Sequence, residues 1–184
     1  QSGYNIFGTD FNSNLVKAAQ MNMIMNNDGR GGLYAENGLE DPNAWKSKEA
    51  RQKIQLGSMD FVMANPPFGA KIKIDRNEIL EHYELAHGWS KTEDGKWVQE
   101  GNLKNALEPE VLFVERCIKL LKPGTGKCGI VLPDSILSNP GYAYVRYWIL
   151  QNCQVLASVD LPVETFLPRT GTQTSVLILR RKSD

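Results

Sequence analysis

The chain has 184 residues, of which 41% are hydrophobic and 23% are charged, and its formal net charge is zero. This size and composition predict one soluble globular domain with a core of its own. No apolar run approaches the roughly 20 residues that a membrane helix needs, and a neutral charge balance argues against a free-standing nucleic-acid-binding protein, which is usually basic.

The cysteines and the N-terminus carry little functional signal. Cys117, Cys128 and Cys153 are odd in number and lack metal-ligand spacing, so we expect buried, reduced thiols in a cytoplasmic protein and no metal site. There is no signal-peptide pattern. Because the chain begins with Gln1 rather than Met, we interpret it as a fragment of a longer protein or as a processed chain.

Short strands alternate with helices at the start of the chain. Residues 6–10 predict a strand that ends in an acid, and Asn12 or Ser13 can cap a helix over about 14–26. After a polar, Gly-rich loop, residues 33–35 predict a second strand. The packing face of the helix is predicted to consist of Leu15, Ala18, Ala19 and Met23, with Met25 near it.

The apolar run 61–64 predicts a third strand, and Asn65, Pro66, Pro67 and Phe68 follow it directly. The two prolines fix φ and remove two backbone donors, so they make a rigid corner. The Asn amide can accept from and donate to a planar amino group, and the Phe ring offers a face for stacking. These four residues therefore predict a clamp for the exocyclic amine of a base or for a side-chain amide. The alternative is a rigid turn with a purely structural role.

The second half of the chain contains a long polar segment and then regular structure. Residues 69–108 are rich in Gly, Lys and Glu, and we expect a long surface excursion with some helix. The elements expected after it are helices over 110–121 and 141–150 and strands over 128–133, 155–160 and 174–180.

Strands alternating with helices at this spacing predict a doubly wound α/β sheet. Such sheets bind ligands at the carboxyl ends of their strands, where the strand order reverses. Asp10 and Asn65 both follow the carboxyl end of a predicted strand, so we expect them to face one crevice. An acid in the position of Asp10 typically accepts hydrogen bonds from ribose hydroxyls, although it can also cap a helix.

Several segments resemble the amino-methyltransferases that use S-adenosylmethionine. The corner at 65–68 resembles their catalytic motif, and residues 7–10 with 18–23 resemble their second conserved block. The tail over 161–179 closely resembles DNA adenine-N6 methyltransferases, in particular the modification subunits of type I restriction–modification systems. The resemblance implies a Rossmann-like, doubly wound mixed sheet of the class I methyltransferase kind, with the last strand antiparallel beside its neighbour. It also implies that residues 1–184 form a partial catalytic domain, in which 69–108 is a surface insertion.

The resemblance implies roles for individual residues. S-adenosylmethionine is the expected cofactor, in contact with Asp10, Phe11, Asn37 and Asn65. The family usually has an Asp where this chain has Asn37, or Glu36 one place earlier, and Asn37-Gly38 is also an ordinary turn dipeptide. The catalytic residues are expected to be Asn65, Pro66, Pro67 and Phe68. Phe68 and Phe166 are expected to line the pocket for the target base.

The implied substrate is double-stranded DNA with a flipped adenine, because a base inside a duplex cannot reach such a pocket. Specificity and restriction subunits are the expected partners, and a neutral chain is expected to owe most of its backbone affinity for DNA to another domain or subunit. No membrane partner is expected. Family members carry a Gly-rich loop upstream of the acid equivalent to Asp10, and this chain has none there. We therefore expect an N-terminally truncated domain, inactive on its own, whose exposed strand edges favour self-association.

Two other functions compete with this one. A protein-glutamine N5-methyltransferase shares the Asn-Pro-Pro motif but usually has Tyr last, so Phe68 and the tail over 161–179 argue against it. A catalytically silent module that binds nucleic acid or another subunit on the same fold is the alternative from a different class.

Overall fold

The structure is a computed structural model that describes residues 6–27, 31–68, 72–168 and 170–183. The chain divides into two compact units, Gln1–Leu56 and Gly57–Asp184. Among the described residues, none of the helices combines the length and the apolar character that a membrane crossing requires.

The first unit contains a small parallel sheet. Strand β1 (Gly8–Asp10) pairs with β2 (Leu33–Ala35), and helix α1 (Ser13–Met25) connects them. The side-chain oxygen of Asn12 accepts from the backbone N–H of Asn14, so Asn12 is the predicted cap of α1. Helix α2 (Lys48–Lys53) follows on the C-terminal side of β2.

The packing face of α1 differs from the prediction. Leu15, Ala18 and Ala19 are exposed, whereas Val16 is buried and Gln20 and Met23 are partly buried. The helix carries apolar side chains on almost every side, so the spacing alone does not select a face. The small two-stranded sheet packs against only one side of the helix, which is the side that contains Val16.

The second unit begins with β3 (Phe61–Ala64), as predicted. The segment that follows contains helix α3 (Asn77–Leu80) and an antiparallel hairpin of β4 (His87–Lys91) and β5 (Trp97–Leu103). The expectation of a surface excursion is wrong for part of this segment, because several of its apolar side chains lie in the core. These are Ile79, Leu80, Tyr83, Leu85, Ala86 and Leu107.

A buried carboxylate holds this segment on the next helix, α4 (Pro109–Leu120). Glu115 is fully buried on α4 and accepts from the backbone N–H groups of Glu84 at 3.0 Å and Leu85 at 2.9 Å. The Lys119 ammonium lies 2.6 Å from the same carboxylate. The hydrophobic pattern of 69–108 is broken by polar residues, so these long-range contacts leave no periodic signal in the sequence.

The remaining elements complete a four-stranded mixed sheet. They are β6 (Lys127–Pro133), α5 (Asp134–Ser138), α6 (Ala143–Asn152), β7 (Cys153–Leu161) and β8 (Thr174–Arg181). The strand order is β3-β6-β8-β7, in which β3 and β6 are parallel and β8 is antiparallel to both of its neighbours. The antiparallel insertion of the last strand is therefore confirmed.

The two faces of this sheet are covered unequally. The strand register places Cys128, Ile130 and Leu179 on one face, where all three are buried. On the opposite face, Phe61 is 72% exposed and Met63 is 90% exposed. Among the strands that the structure describes, β3 lies at one edge of this sheet, and its exposed apolar side chains lie immediately before the predicted corner.

Candidate active site

The predicted clamp lies at the carboxyl end of β3. Ala64, the last residue of β3, is paired with Ile130 of β6, and the chain leaves the sheet at Asn65. Pro66 is buried and Pro67 is exposed, so the first proline fixes the corner against the protein. Asn65 is exposed, and its amide makes no hydrogen bond to any other described residue. Its acceptor oxygen and its two donor hydrogens are therefore free to bind a ligand.

The structure brings Phe68 and Phe166 together. Their ring centroids are 5.4 Å apart and their planes are inclined by 85°, which is the edge-to-face arrangement of an aromatic pair. Phe166 ends a short 3₁₀ turn, Val163–Phe166, that follows β7. Both rings are partly exposed, so each keeps an accessible surface next to the corner. The role of this pair as a base pocket stays a prediction.

In the first unit, Asp10 and Phe11 lie at the carboxyl end of β1. One oxygen of Asp10 accepts from the backbone N–H of Asn12 at 2.6 Å, and the other makes no hydrogen bond within the described part of the chain. Phe11 is 83% exposed. A free carboxylate oxygen beside an exposed ring has the chemistry to meet ribose hydroxyls and the face of an adenine, and the contact of these two residues with the cofactor stays a prediction.

The side chain of Asn37 makes its hydrogen bonds within its own turn. Its side-chain oxygen accepts from the N–H of Leu39 at 3.1 Å, and its amide nitrogen lies 3.4 Å from a carboxylate oxygen of Glu40. The neighbouring Glu36 is buried and accepts from the backbone N–H groups of Lys46 and Ser47. The turn that was considered as an alternative is thus present, and a contact of Asn37 with the cofactor stays a prediction.

The cysteines are free and buried, as expected. Burial raises the pKa of the Cys153 thiol to about 12, so this thiol stays neutral and inert. Across the described ranges, no group of three or more His, Cys, Asp or Glu side chains is arranged to hold a metal ion.

A set of polar contacts at the end of β7 was not predicted from the sequence. Gln173 lies immediately before β8, and its side-chain nitrogen donates to Asp160 and to the carbonyl of Leu161 at the end of β7. The only signal in the sequence was a polar residue directly before a strongly apolar strand, which is too common to single out Gln173.

Similar folds occur among solved methyltransferases. A protein of Listeria monocytogenes described as a class I S-adenosylmethionine-dependent methyltransferase is 21% identical, with a TM-score of 0.67 over 96% of this chain and 44% of the other. A modification subunit assigned to a type I restriction enzyme of Vibrio vulnificus is 23% identical, with a TM-score of 0.68 over 97% of this chain and 33% of the other. For the methyltransferase subunit of a type I restriction–modification system of Streptococcus thermophilus, the identity is 22% and the TM-score 0.67, over 95% and 33% of the two chains.

These likenesses, the mixed sheet and the antiparallel last strand define a class I S-adenosylmethionine-dependent methyltransferase fold. The model of the N-6 DNA methylases matches residues 1–184, and the chain belongs to that family. No curated protein matches it. The chain spans between 30% and 44% of the length of the first solved structures that it resembles.

Proposed function

We propose that this chain is part of an enzyme that transfers a methyl group from S-adenosylmethionine to N6 of a flipped adenine in double-stranded DNA, within a restriction–modification system. The observation that carries the proposal is the corner after β3, where the Asn65 amide is exposed and unpaired among the described residues and the Phe68 ring meets Phe166. Membership of the N-6 DNA methylase family supports the choice of reaction.

The corner residues act by placing the amine. The side-chain oxygen of Asn65 and the carbonyl of Pro66 accept hydrogen bonds from the two hydrogens of the adenine amine, which directs the nitrogen lone pair away from the corner. The ring of Phe68 stacks on the extruded base. The cofactor supplies an electrophilic methyl group, so the chain needs no strong base, and its contribution is placement and charge compensation.

The first unit holds the cofactor in this proposal. The free oxygen of Asp10 accepts from ribose hydroxyls, and the exposed ring of Phe11 packs on the adenine. Asn37 joins them only if its side-chain oxygen accepts a second hydrogen bond besides that from Leu39. An amide oxygen has two lone pairs, so this is chemically allowed.

Partners form the second part of the proposal. Two of the similar structures are subunits of type I restriction–modification systems, which supports assembly with specificity and restriction subunits. The net charge of zero supports the same conclusion, because DNA affinity then has to come largely from elsewhere in the assembly. The last interaction that we propose is self-association through the outer edge of β3 or β7, which are the two edge strands of the described four-stranded sheet.

The test uses the full-length protein that contains this chain, together with its natural subunits. Transfer of labelled methyl groups to adenine in duplex DNA is measured for the wild type, for Asn65→Ala and for a control, Asn105→Ala, in which an exposed Asn outside the corner is changed. We expect Asn65→Ala to lower kcat by about a hundredfold or more, as the loss of a positioned polar group commonly does. The control is expected to retain wild-type activity.

Each alternative has its own outcome. A wild-type protein that methylates glutamine in a protein and not DNA supports the glutamine methyltransferase. A protein that binds DNA or its partner subunits and transfers no methyl group to either substrate supports the silent module. DNA methylation that is unchanged by Asn65→Ala contradicts the proposed role of the corner.

A further inference from the structure

We propose that Gln173 is a positioning residue that keeps Phe166 in the orientation that receives the target base. The inference rests on the function proposed above and adds to it a residue outside the predicted site. The segment concerned, called here the Phe166 loop, connects β7 to β8 and comprises residues 162–168 and 170–173 of the described chain.

The side chain of Gln173 joins the two ends of this loop. Its nitrogen donates to a carboxylate oxygen of Asp160 at 2.7 Å and to the carbonyl oxygen of Leu161 at 2.6 Å. Both partners are acceptors only, so the amide has to present its two N–H groups to them and not its oxygen. A side chain of the same shape without two donors cannot replace it.

The backbone of Gln173 is held from the other side of β8. Its carbonyl accepts from the N–H of Asp134 at 3.0 Å, and Asp134 follows directly on β6. The hydroxyl of Ser175 donates to the carboxylate of Asp134 at 2.8 Å. Gln173 is thus joined to the ends of both strands that flank β8, which leaves it little freedom to move.

Hydrogen bonds within the loop lead from Thr172, the neighbour of Gln173 in the sequence, to the backbone of Phe166. The N–H of Thr172 donates to the hydroxyl of Thr170 at 3.1 Å, and the two threonine hydroxyls are 2.8 Å apart. The N–H of Thr170 donates to the carbonyl of Phe166 at 3.2 Å. Phe166 then meets Phe68 at 5.4 Å. A shift of the loop end is therefore expected to move the backbone that carries the Phe166 ring, and a displacement of about 1 Å at a reacting centre can cost up to about a hundredfold in rate.

If Gln173 had a purely structural role, changing its side chain would lower stability together with activity. The ladder between β7 and β8 continues to the pair Leu161–Thr174 without using the side chain of Gln173. Changing that side chain is therefore expected to leave the sheet intact and to reorient the loop. This separation allows activity and stability to be measured as independent properties.

The experiment compares four variants of the full-length protein with its subunits. Gln173→Met keeps the volume and removes both donors, and Gln173→Glu replaces the donors by a carboxylate. Asp160→Asn keeps an acceptor oxygen at that position. The double variant Asp160→Asn/Gln173→Glu reverses the polarity of the pair, because the new amide can donate to the new carboxylate. Each is assayed for kcat, for KM of S-adenosylmethionine, for thermal unfolding and for extrusion of the target base, using 2-aminopurine fluorescence in the DNA.

We expect Gln173→Met and Gln173→Glu to lower kcat and the 2-aminopurine signal by about tenfold, with the KM of the cofactor and the unfolding temperature unchanged. Asp160→Asn is expected to lose less activity than either Gln173 variant, because its side-chain oxygen still accepts from Gln173, and the double variant is expected to recover part of the loss.

The outcomes separate the two proposals. If the wild type methylates DNA and Asn65→Ala does not, while both Gln173 variants match the wild type, the positioning role is overturned and the proposed function stands. If the Gln173 variants lose unfolding temperature together with activity, and the double variant recovers no activity, the positioning role is also overturned. If the wild-type protein neither extrudes nor methylates adenine, both proposals are overturned.

Discussion

Removal of the Glu115 carboxylate is predicted to detach the segment that carries the β4–β5 hairpin. The perturbation is Glu115→Ala. The carboxylate is fully buried and accepts from the backbone N–H groups of Glu84 and Leu85, so the variant leaves these donors without a partner. Water can reach Glu84, which is exposed, but the N–H of Leu85 is buried.

The magnitude follows from these contacts. A hydrogen bond to a charged group contributes about 1.5–3 kcal/mol, and breaking one side of a buried ion pair costs about 3–5 kcal/mol. Because Lys119 is 32% exposed in its side chain and can be hydrated, we expect a loss of about 3–4 kcal/mol in the free energy of unfolding. For a chain of this length that corresponds to about 10 °C in unfolding temperature.

The assay is urea unfolding followed by circular dichroism, with Glu93→Ala as the control. Glu93 is an exposed acid in the turn of the hairpin, and its removal is expected to change the free energy by no more than about 0.5 kcal/mol. If Glu115→Ala costs less than about 1 kcal/mol, the carboxylate does not hold the segment and the reasoning fails.

Two further predictions concern pH and the hairpin. The Cys153 pKa is raised from 9.0 to about 12 by burial, so folding favours the neutral thiol and stability is lost as the pH rises through this window. Between pH 9 and 10 the wild type should lose about 1 kcal/mol more than Cys153→Ala in urea unfolding, and equal slopes would contradict the assignment. Trp89 donates to the carbonyl of Glu84 and stacks on Tyr144 with centroids 6.2 Å apart. Trp89→Ala should lower the free energy of local opening of the hairpin by about 2 kcal/mol. This loss is measured as roughly thirtyfold faster amide exchange in β4 and β5. Unchanged protection there would show that the stacking does not hold the hairpin.

Elements with a strong local pattern were predicted well. β3 has the predicted bounds, and the helix expected over 110–121 is Pro109–Leu120. In both cases an apolar run or a 3.6-residue period is bounded by proline, so neighbouring residues suffice to define the element. The helix Asp134–Ser138 and the hairpin within 87–103 were missed, because short elements with mixed polarity depend on packing against distant residues.

The candidate site was likewise predictable from the sequence only in part. The corner at 65–68 was evident in the sequence, since its rigidity and its polar and aromatic groups belong to four consecutive residues. The burial of Pro66, the free amide of Asn65 and the internal use of Asn37 were decided by contacts that no spacing rule contains. The exposed side of α1 likewise depended on which face the small sheet covers.

The sequence by itself determined the strands and helices with clear periodicity, the chemistry available at the end of β3, and the kinship with the N-6 DNA methylases. Only the tertiary structure decided which distant side chains meet: Phe68 with Phe166, Gln173 with Asp160, and Glu115 with the backbone of Leu85. The physical reason is that propensity and periodicity act over a few residues. Contacts between remote residues depend on the order and register of the strands, which the packing of the whole sheet selects.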